Sequence, residues 1–404
     1  MRPIIVLLLC LTIMISETKG AEAQETMIGR DSVDYLLQDG TRLQLELWFP
    51  AIAPLSALKQ HKDYSFSVSL KKNLVDISGM PSMTISTKET SNGLRDVVAK
   101  PGSFPVVIFS HGFTSFSRQN SRQLEALALA GYIVIAPSHP GDSLTTEYSD
   151  GTIVEIDRSQ DALKLTSSKA NKSKLKDEIA KIAVESNQLR KKSTEQYLLD
   201  LPQFVDGTIY RHYVTSAQRR RGHLVQLVSQ LIAKDPQAQD TALADADLTR
   251  IALYGHSLGG VVSVLATEEL NREESRVKAV VNLDAVQFVL PDENSINLST
   301  PTCFIMGGST KMGKTKISNL YLNSPWAQAN KDVCEINVTK AAHNNFTDLT
   351  YVTPLKWFGQ LGPIKNKAFG DWINGFLIAY FDSKLLGKHY SYPIWPSAEL
   401  VGTI

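Results

Sequence analysis

The chain has 404 residues, 43% of them hydrophobic and 21% charged, with a net charge of +1, so it can bury a large core. Its basic residues are scattered and nearly balanced by acidic ones, which excludes nucleic acid or an anionic surface as the main partner and favours a small or neutral one.

Met1-Arg2, an apolar run over 4–15 and polar residues over 16–20 have the layout of a secretory signal, with Ala21-Glu22-Ala23 as a small-x-small cleavage site. The run is too short to span a bilayer comfortably, and Leu9 before Cys10 is not the small residue of a lipoprotein signal. The expected division is therefore a signal peptide over 1–23 and one domain over 24–404, the product being exported, either secreted or periplasmic.

Leu43, Leu45 and Leu47 alternate with Arg42, Gln44 and Glu46, the period-two pattern of a half-exposed strand, which reads as an early antiparallel one. Continuous apolar runs follow at 106–109, 132–136, 251–254, 277–283, 302–306 and 334–338, as expected of strands covered on both faces. Helical stripes lie between several of them, at 123–130 and 216–233, and a last one spans about 366–386. Such alternation predicts an α/β fold with a mostly parallel central sheet and helices on both faces. One stretch breaks the pattern: 143–213 is rich in Lys, Glu, Ser and Gln and reads as a partly helical insertion over the strand ends, either a plain solvated excursion or a lid or interfacial surface.

The apolar run at 251–254 leads into Gly255-His256-Ser257-Leu258-Gly259-Gly260, and an apolar helical stripe follows. A serine so placed sits on a strained strand-to-helix turn, where flanking glycines avoid backbone clashes. Its hydroxyl needs a base and the base needs a carboxylate, in the chain order Ser, Asp or Glu, His. After Ser257 only His343 and His389 remain. His389 lies beyond the last helix, whereas His343 follows the strand at 334–338 by a short loop. No Asp or Glu occurs between Glu293 and Asp332, which leaves Asp284 at a strand end as the acid, with Asp292 and Glu293 as alternatives farther into a polar loop.

The oxyanion donors must be backbone amides. Leu258, directly after the serine, offers one, and Phe113 in Ser110-His111-Gly112-Phe113 offers the other, with Gly112 permitting the turn. His139, in Ser138-His139-Pro140-Gly141, reads as a structural bridge between loops near the site. No His/Asp/Glu cluster has ligand spacing, so neither a metal nor a cofactor is expected. Removal of the signal leaves Cys303 and Cys334, which would form a disulfide if their strands are neighbours, or remain as two buried thiols.

Phe109-Ser110-His111-Gly112-Phe113, the Ser257 hexapeptide, Asn282-Leu283-Asp284-Ala285 and Ala342-His343-Asn344-Asn345-Phe346-Thr347-Asp348 together resemble the plasma-type platelet-activating-factor acetylhydrolases and their bacterial dienelactone-hydrolase-like relatives. The resemblance runs roughly over 35–387 and is thin over 143–213. It implies an α/β-hydrolase fold and calcium-independent hydrolysis of short or oxidised sn-2 acyl chains from phospholipids, with transient contact to a lipid surface. The triad would be Ser257, Asp284 and His343, with Phe113 and Leu258 as oxyanion donors. Val286-Gln287-Phe288, where this chain departs from the animal enzymes, would shape the acyl pocket. The rival readings are a lipase, polyester or dienelactone-type hydrolase of broader range and, from another class, a binding protein on a hydrolase scaffold.

Overall fold

The computed structural model describes residues 24–54, 65–86, 88, 91–164, 169–239, 241–291, 296–308, 310–312, 315–356 and 360–404. The signal-like segment over 1–23 and the alternative acids Asp292 and Glu293 lie outside the described residues.

In chain order the principal elements are β1 (Gln24–Leu36), β2 (Arg42–Pro54), α1 (Val68–Ser78), β3 (Phe104–Ser110), α2 (Ser121–Leu129) and β4 (Ile133–Ser138). The charged region contributes α3 (Lys169–Leu189) and α4 (Thr194–Gly207), and α5 (Val214–Ile232) follows. Next come β5 (Ala246–His256), α6 (Leu258–Leu270), β6 (Val277–Leu283), β7 (Thr302–Gly307), α7 (Ser324–Ala329), β8 (Val333–Val338), α8 (Asn366–Leu386) and β9 (Ala398–Gly402).

The strands form one sheet in the order β1-β2-β4-β3-β5-β6-β7-β8-β9, with the short strand Val98–Ala99 paired to β2. All pairings from β4 through β3 to β8 are parallel. The β1–β2, β2–β4 and β8–β9 pairings are antiparallel. Parallel strands need crossover helices, and those helices cover both faces of the sheet.

Side-chain alternation fixes which helix lies where. Val106 and Ile108 of β3 point into a core shared with α5 and α6, whereas Val107 and Phe109 point into the opposite core, shared with α2 and α8. Both faces being buried, the inner parallel strands read as largely apolar runs, and β2, expected to be half-exposed, buries Gln44 and Glu46 as well as its leucines.

β1 and β9 were not expected. The sequence of β1 mixes Arg30, Asp31 and Asp34 among its apolar residues, and Arg30 is buried because its guanidinium meets the buried carboxylate of Glu46 on β2 at 3.1 Å. The ion pair puts charges inside the sheet and hides the strand's alternation. β9 is a five-residue edge strand and is too short to show a period.

Cys303 and Cys334 are register partners on adjacent parallel strands and form a disulfide that closes a loop of 31 residues between two wholly buried positions. Of the two outcomes left open by the sequence, the bonded one is found. A cross-link of that span stabilises chiefly by restricting the unfolded chain. Replacing both cysteines by alanine is expected to lower unfolding stability by about 3 kcal/mol. Urea unfolding of the oxidised protein and the double variant measures this, and equal midpoints would contradict it.

Candidate active site

Ser257 directly follows β5 with φ 55° and ψ −131°, a backbone conformation that side-chain-bearing residues rarely adopt. Its amide donates to the Leu283 carbonyl at 2.9 Å, so the strained turn is pinned to β6. The neighbouring glycines are needed for close approach. A Cβ on Gly259 would stand 1.9 Å from the Ser110 carbonyl oxygen, and one on Gly255 would stand 2.3 Å from the Gly259 backbone. The first turn of α6 therefore lies directly against the end of β3. Leu258 is the first helical residue, and its N–H is one of those for which a helix has no internal acceptor.

Asp284 follows β6 and is 1% exposed. Its Oδ2 accepts from Nδ1 of His343 at 2.7 Å, and its Oδ1 accepts from the Gly307 amide at 2.7 Å and from Nδ2 of Asn319 at 3.2 Å. Burial pushes the carboxyl's pKa upward. The hydrogen bond and charge of His343, with the Gly307 amide, outweigh that and hold it below the usual carboxylate range. Gly307 and Asn319, unremarked in the sequence, thus complete the anion's hydrogen bonds.

His343 opens a short 3-10 turn, His343–Phe346, after β8. The turn is fastened to the start of α2: Asn120 Nδ2 and Gln123 Nε2 both donate to the Phe346 carbonyl, at 2.9 and 3.0 Å. The Asp348 carboxylate accepts from the Arg122 amide at 2.8 Å, in the first turn of that helix, where an anion is favoured. Asn345 Oδ1 accepts from the Ala342 and Gly362 amides, at 2.7 and 2.8 Å. The Asn, Phe and Asp of the histidine block thus anchor the turn that carries the base.

Ser257, His343 and Asp284 line one cavity of about 340 Å³, together with Phe113 and Leu258. All five residues singled out in the sequence therefore converge. Val286 and Phe288 also line it, while Gln287 between them is buried, its amide donating to Asn323 Oδ1 at 2.9 Å. The charged insertion reaches the same cavity through Ile182 of α3 and through Ile209, Tyr210 and Tyr213. Aromatic pairs close the wall there: Phe113 meets Tyr213 edge-on at 5.2 Å, and Tyr210 lies tilted against Phe288 at 5.0 Å between ring centroids.

Behind Phe113 lies a polar layer. His111 is wholly buried, with Nδ1 against the Gly112 carbonyl at 2.7 Å and Nε2 against Ser143 Oγ at 2.8 Å. Arg220, also wholly buried, donates to the His111 carbonyl at 2.8 Å and to Asp142 Oδ2 at 3.1 Å. His139 lies 3.3 Å from Ser110 Oγ and 3.2 Å from His223 Nδ1, so it bridges the end of β3 and helix α5 rather than two loops. Burial lowers all three imidazoles, His111 to about 3 and His223 to about 4, so the layer is neutral apart from Asp142 and its two partners, Arg219 and Arg220. Among the described residues, no group of three or more His, Cys, Asp or Glu side chains is arranged to hold a metal ion.

A second buried acid lies farther back. Glu335 on β8 is fully buried and accepts from the Asn323 amide at 3.1 Å and from the Ser324 hydroxyl. Asn323 in turn donates to the Ala285 carbonyl at 2.8 Å, which ties this acid to the loop after Asp284.

A family model described as platelet-activating factor acetylhydrolase, isoform II, matches residues 25–217 and 223–385. Among curated relatives, the guinea pig (Cavia porcellus) platelet-activating factor acetylhydrolase is 25% identical over 307 residues, covering 73% of this chain and 60% of that protein. The cattle (Bos taurus) protein of the same name is 26% identical over 264 residues, covering 65% of this chain and 52% of that protein. The chain thus spans little more than half the length of these relatives. A solved structure of a ferulic acid esterase from Streptomyces cinnamoneus superposes with a TM-score of 0.58 at 18% identity, covering 92% of this chain and 94% of the other, and so shares the α/β-hydrolase fold.

Burial pushes the Glu335 carboxyl up to about 7, from 4.5, against the donors of Ser324 and Asn323. The folded protein therefore binds this proton more tightly than the unfolded chain does. The resulting stability is fully present below pH 4.5 and is lost as pH rises towards 7. Its size is on the order of 3 kcal/mol. Urea midpoints across that window are expected to fall more steeply for the native protein than for Glu335→Gln, and parallel profiles would contradict it.

Proposed function

Because the chain belongs to the platelet-activating factor acetylhydrolase isoform II family, we propose that it is a serine ester hydrolase acting through an acyl-enzyme intermediate. The observation that carries this reading is the 2.7 Å contact between Asp284 Oδ2 and His343 Nδ1, beside a serine held on a strained strand-to-helix turn in the same cavity. In the first half-reaction Ser257 Oγ attacks the ester carbonyl while Nε2 of His343 takes its proton, and Asp284 stabilises the imidazolium that forms. The oxyanion accepts hydrogen bonds from the amides of Phe113 and Leu258. Collapse of this intermediate breaks the bond to the alcohol, which leaves with the proton from His343. Water, deprotonated by the same imidazole, then attacks the acyl-enzyme, and the acid departs with Ser257 Oγ reprotonated.

The favoured substrate is a phospholipid carrying an acetyl, short or oxidised acyl chain at sn-2. A cavity of about 340 Å³ lined by Phe113, Val286 and Phe288 has room for a short acyl group and the adjoining part of the alcohol. The insertion over 143–213 is read as a cover on this cavity, since Ile182, Ile209 and Tyr213 form part of its wall. Val184 and Leu199, on α3 and α4, are exposed and offer that largely charged cover two apolar points for contact with a lipid surface. Export is supported by the Cys303–Cys334 disulfide, which persists in oxidising compartments. Among the described residues, no helix is long and apolar enough to cross a membrane.

The test is a chain-length series of nitrophenyl esters and short-chain phospholipids on the native protein and on Ser257→Ala. Acetyl and butyryl esters are expected to be turned over well ahead of long-chain ones, with the variant folded and at least about a thousandfold slower. A variant that keeps its activity would overturn the nucleophile, and preference for long acyl chains would overturn the substrate.

A further inference from the structure

His256, between Gly255 and Ser257, is 3% exposed and takes no part in the proton transfers above. Its ring lies 4.4 Å from that of His343 and 6.5 Å from that of Phe346. Nε2 is 3.1 Å from the His343 carbonyl oxygen, and Nδ1 is 2.8 Å from Gln119 Nε2. Gln119 is 2% exposed, and its Oε1 accepts from the Gly112 amide at 3.0 Å.

The direction of every bond in this chain is fixed from its ends. A backbone N–H can only donate, so the Gln119 oxygen faces Gly112 and its amide nitrogen must face His256. That nitrogen can only donate, so Nδ1 of His256 accepts. A carbonyl can only accept, so Nε2 of His256 carries the proton and donates a hydrogen bond to the His343 carbonyl oxygen. Gly112 belongs to the turn that presents the Phe113 amide, and His343 supplies the base, so the two ends of the relay are the two halves of the site.

We propose that Gln119 is a positioning residue which, acting through a neutral His256 of fixed tautomer, locks the main chain of His343 to the turn that carries the Phe113 amide. The relay sets the separation between base and oxyanion donor while leaving the substrate untouched. Neutrality of His256 is part of the device. Burial, with the adjoining His343 as a second cause, lowers its pKa to about 3. The titratable groups that face it are His343 and Asp284, and its other neighbours are Gln119 and the Phe346 ring. A charged ring beside His343 would oppose the imidazolium that must form in each half-reaction.

The inference rests on the ester-hydrolase reading for its kinetic consequence but not for its structural one, so two readouts separate them. Gln119→Leu removes both hydrogen bonds at similar volume, and Gln119→Glu replaces the donor to Nδ1 by an acceptor. Nitrogen-15 NMR of the imidazoles needs no turnover. It is expected to show His256 of the native protein as a single neutral tautomer, protonated on Nε2, across pH 5 to 8, and to show His256 doubly protonated in Gln119→Glu. With nitrophenyl acetate, Gln119→Leu is expected to lose about tenfold to a hundredfold in kcat with KM within about twofold. Gln119→Glu is expected to move the acid limb of kcat/KM to lower pH by about one unit. A native His256 protonated on Nδ1, or one that ignores Gln119→Glu, overturns the relay. Both variants matching the native protein in kcat and pH profile overturn its role. A native protein with the expected tautomer but no esterase activity would instead count against the hydrolase reading alone.

Discussion

A carboxylate that is 1% exposed cannot remain charged inside a protein without several donors aimed at it, and the site is arranged around meeting that requirement for Asp284. Gly307 from the end of β7, Asn319 from the following loop and His343 from the loop after β8 each direct an N–H at it. Three loops that are distant in sequence are thereby drawn over the carboxyl ends of neighbouring parallel strands. Were any donor withdrawn, the remaining charge would be under-solvated in a low-dielectric setting. The imidazole orientation is thus a consequence of how the anion is buried.

The serine side of the site is governed by distance of approach. Glycines at 255, 259 and 260 let the first turn of α6 lie against the main chain of β3 and the Asn282 side chain of β6, with no Cβ between them. Two elements that would normally be kept apart by side chains are in contact, and Leu258 and Phe113 line one cavity. Behind them Arg220 and Asp142, both wholly buried, hold the His111 carbonyl and fill the space beneath the turn with satisfied polar groups. The insertion adds the outer wall. Ile179 and Ile182 of α3 pack with Ile209 and Ile317, so a helix with a largely charged surface is anchored by a narrow apolar stripe.

Much of this was legible in the sequence because it depends on local pattern. The parallel strands read as largely apolar runs, and the serine turn carries its glycines at fixed spacing. Chain order reduced the histidines to His343 and His389, and the place of His343 just after a strand selected it. What was not legible depends on contacts across long separations. β1 was hidden by the buried Arg30–Glu46 pair, which makes an inside position look polar. Gln119 lies 137 residues from its histidine partner, in a turn whose composition marks it as nothing more than the approach to a helix. Asn319 and Gly307 likewise gain meaning only once β6, β7 and β8 are side by side.

The central claim is that a nucleophilic serine, a buried acid–imidazole pair and two converging amides form one site. A crystal structure of the protein inactivated by a small alkyl fluorophosphonate tests this most directly. The account predicts phosphorus bonded to Ser257 Oγ, with the phosphonyl oxygen about 3 Å from the amide nitrogens of both Phe113 and Leu258. An unreacted Ser257, or a phosphonyl oxygen directed away from both amides, would contradict it.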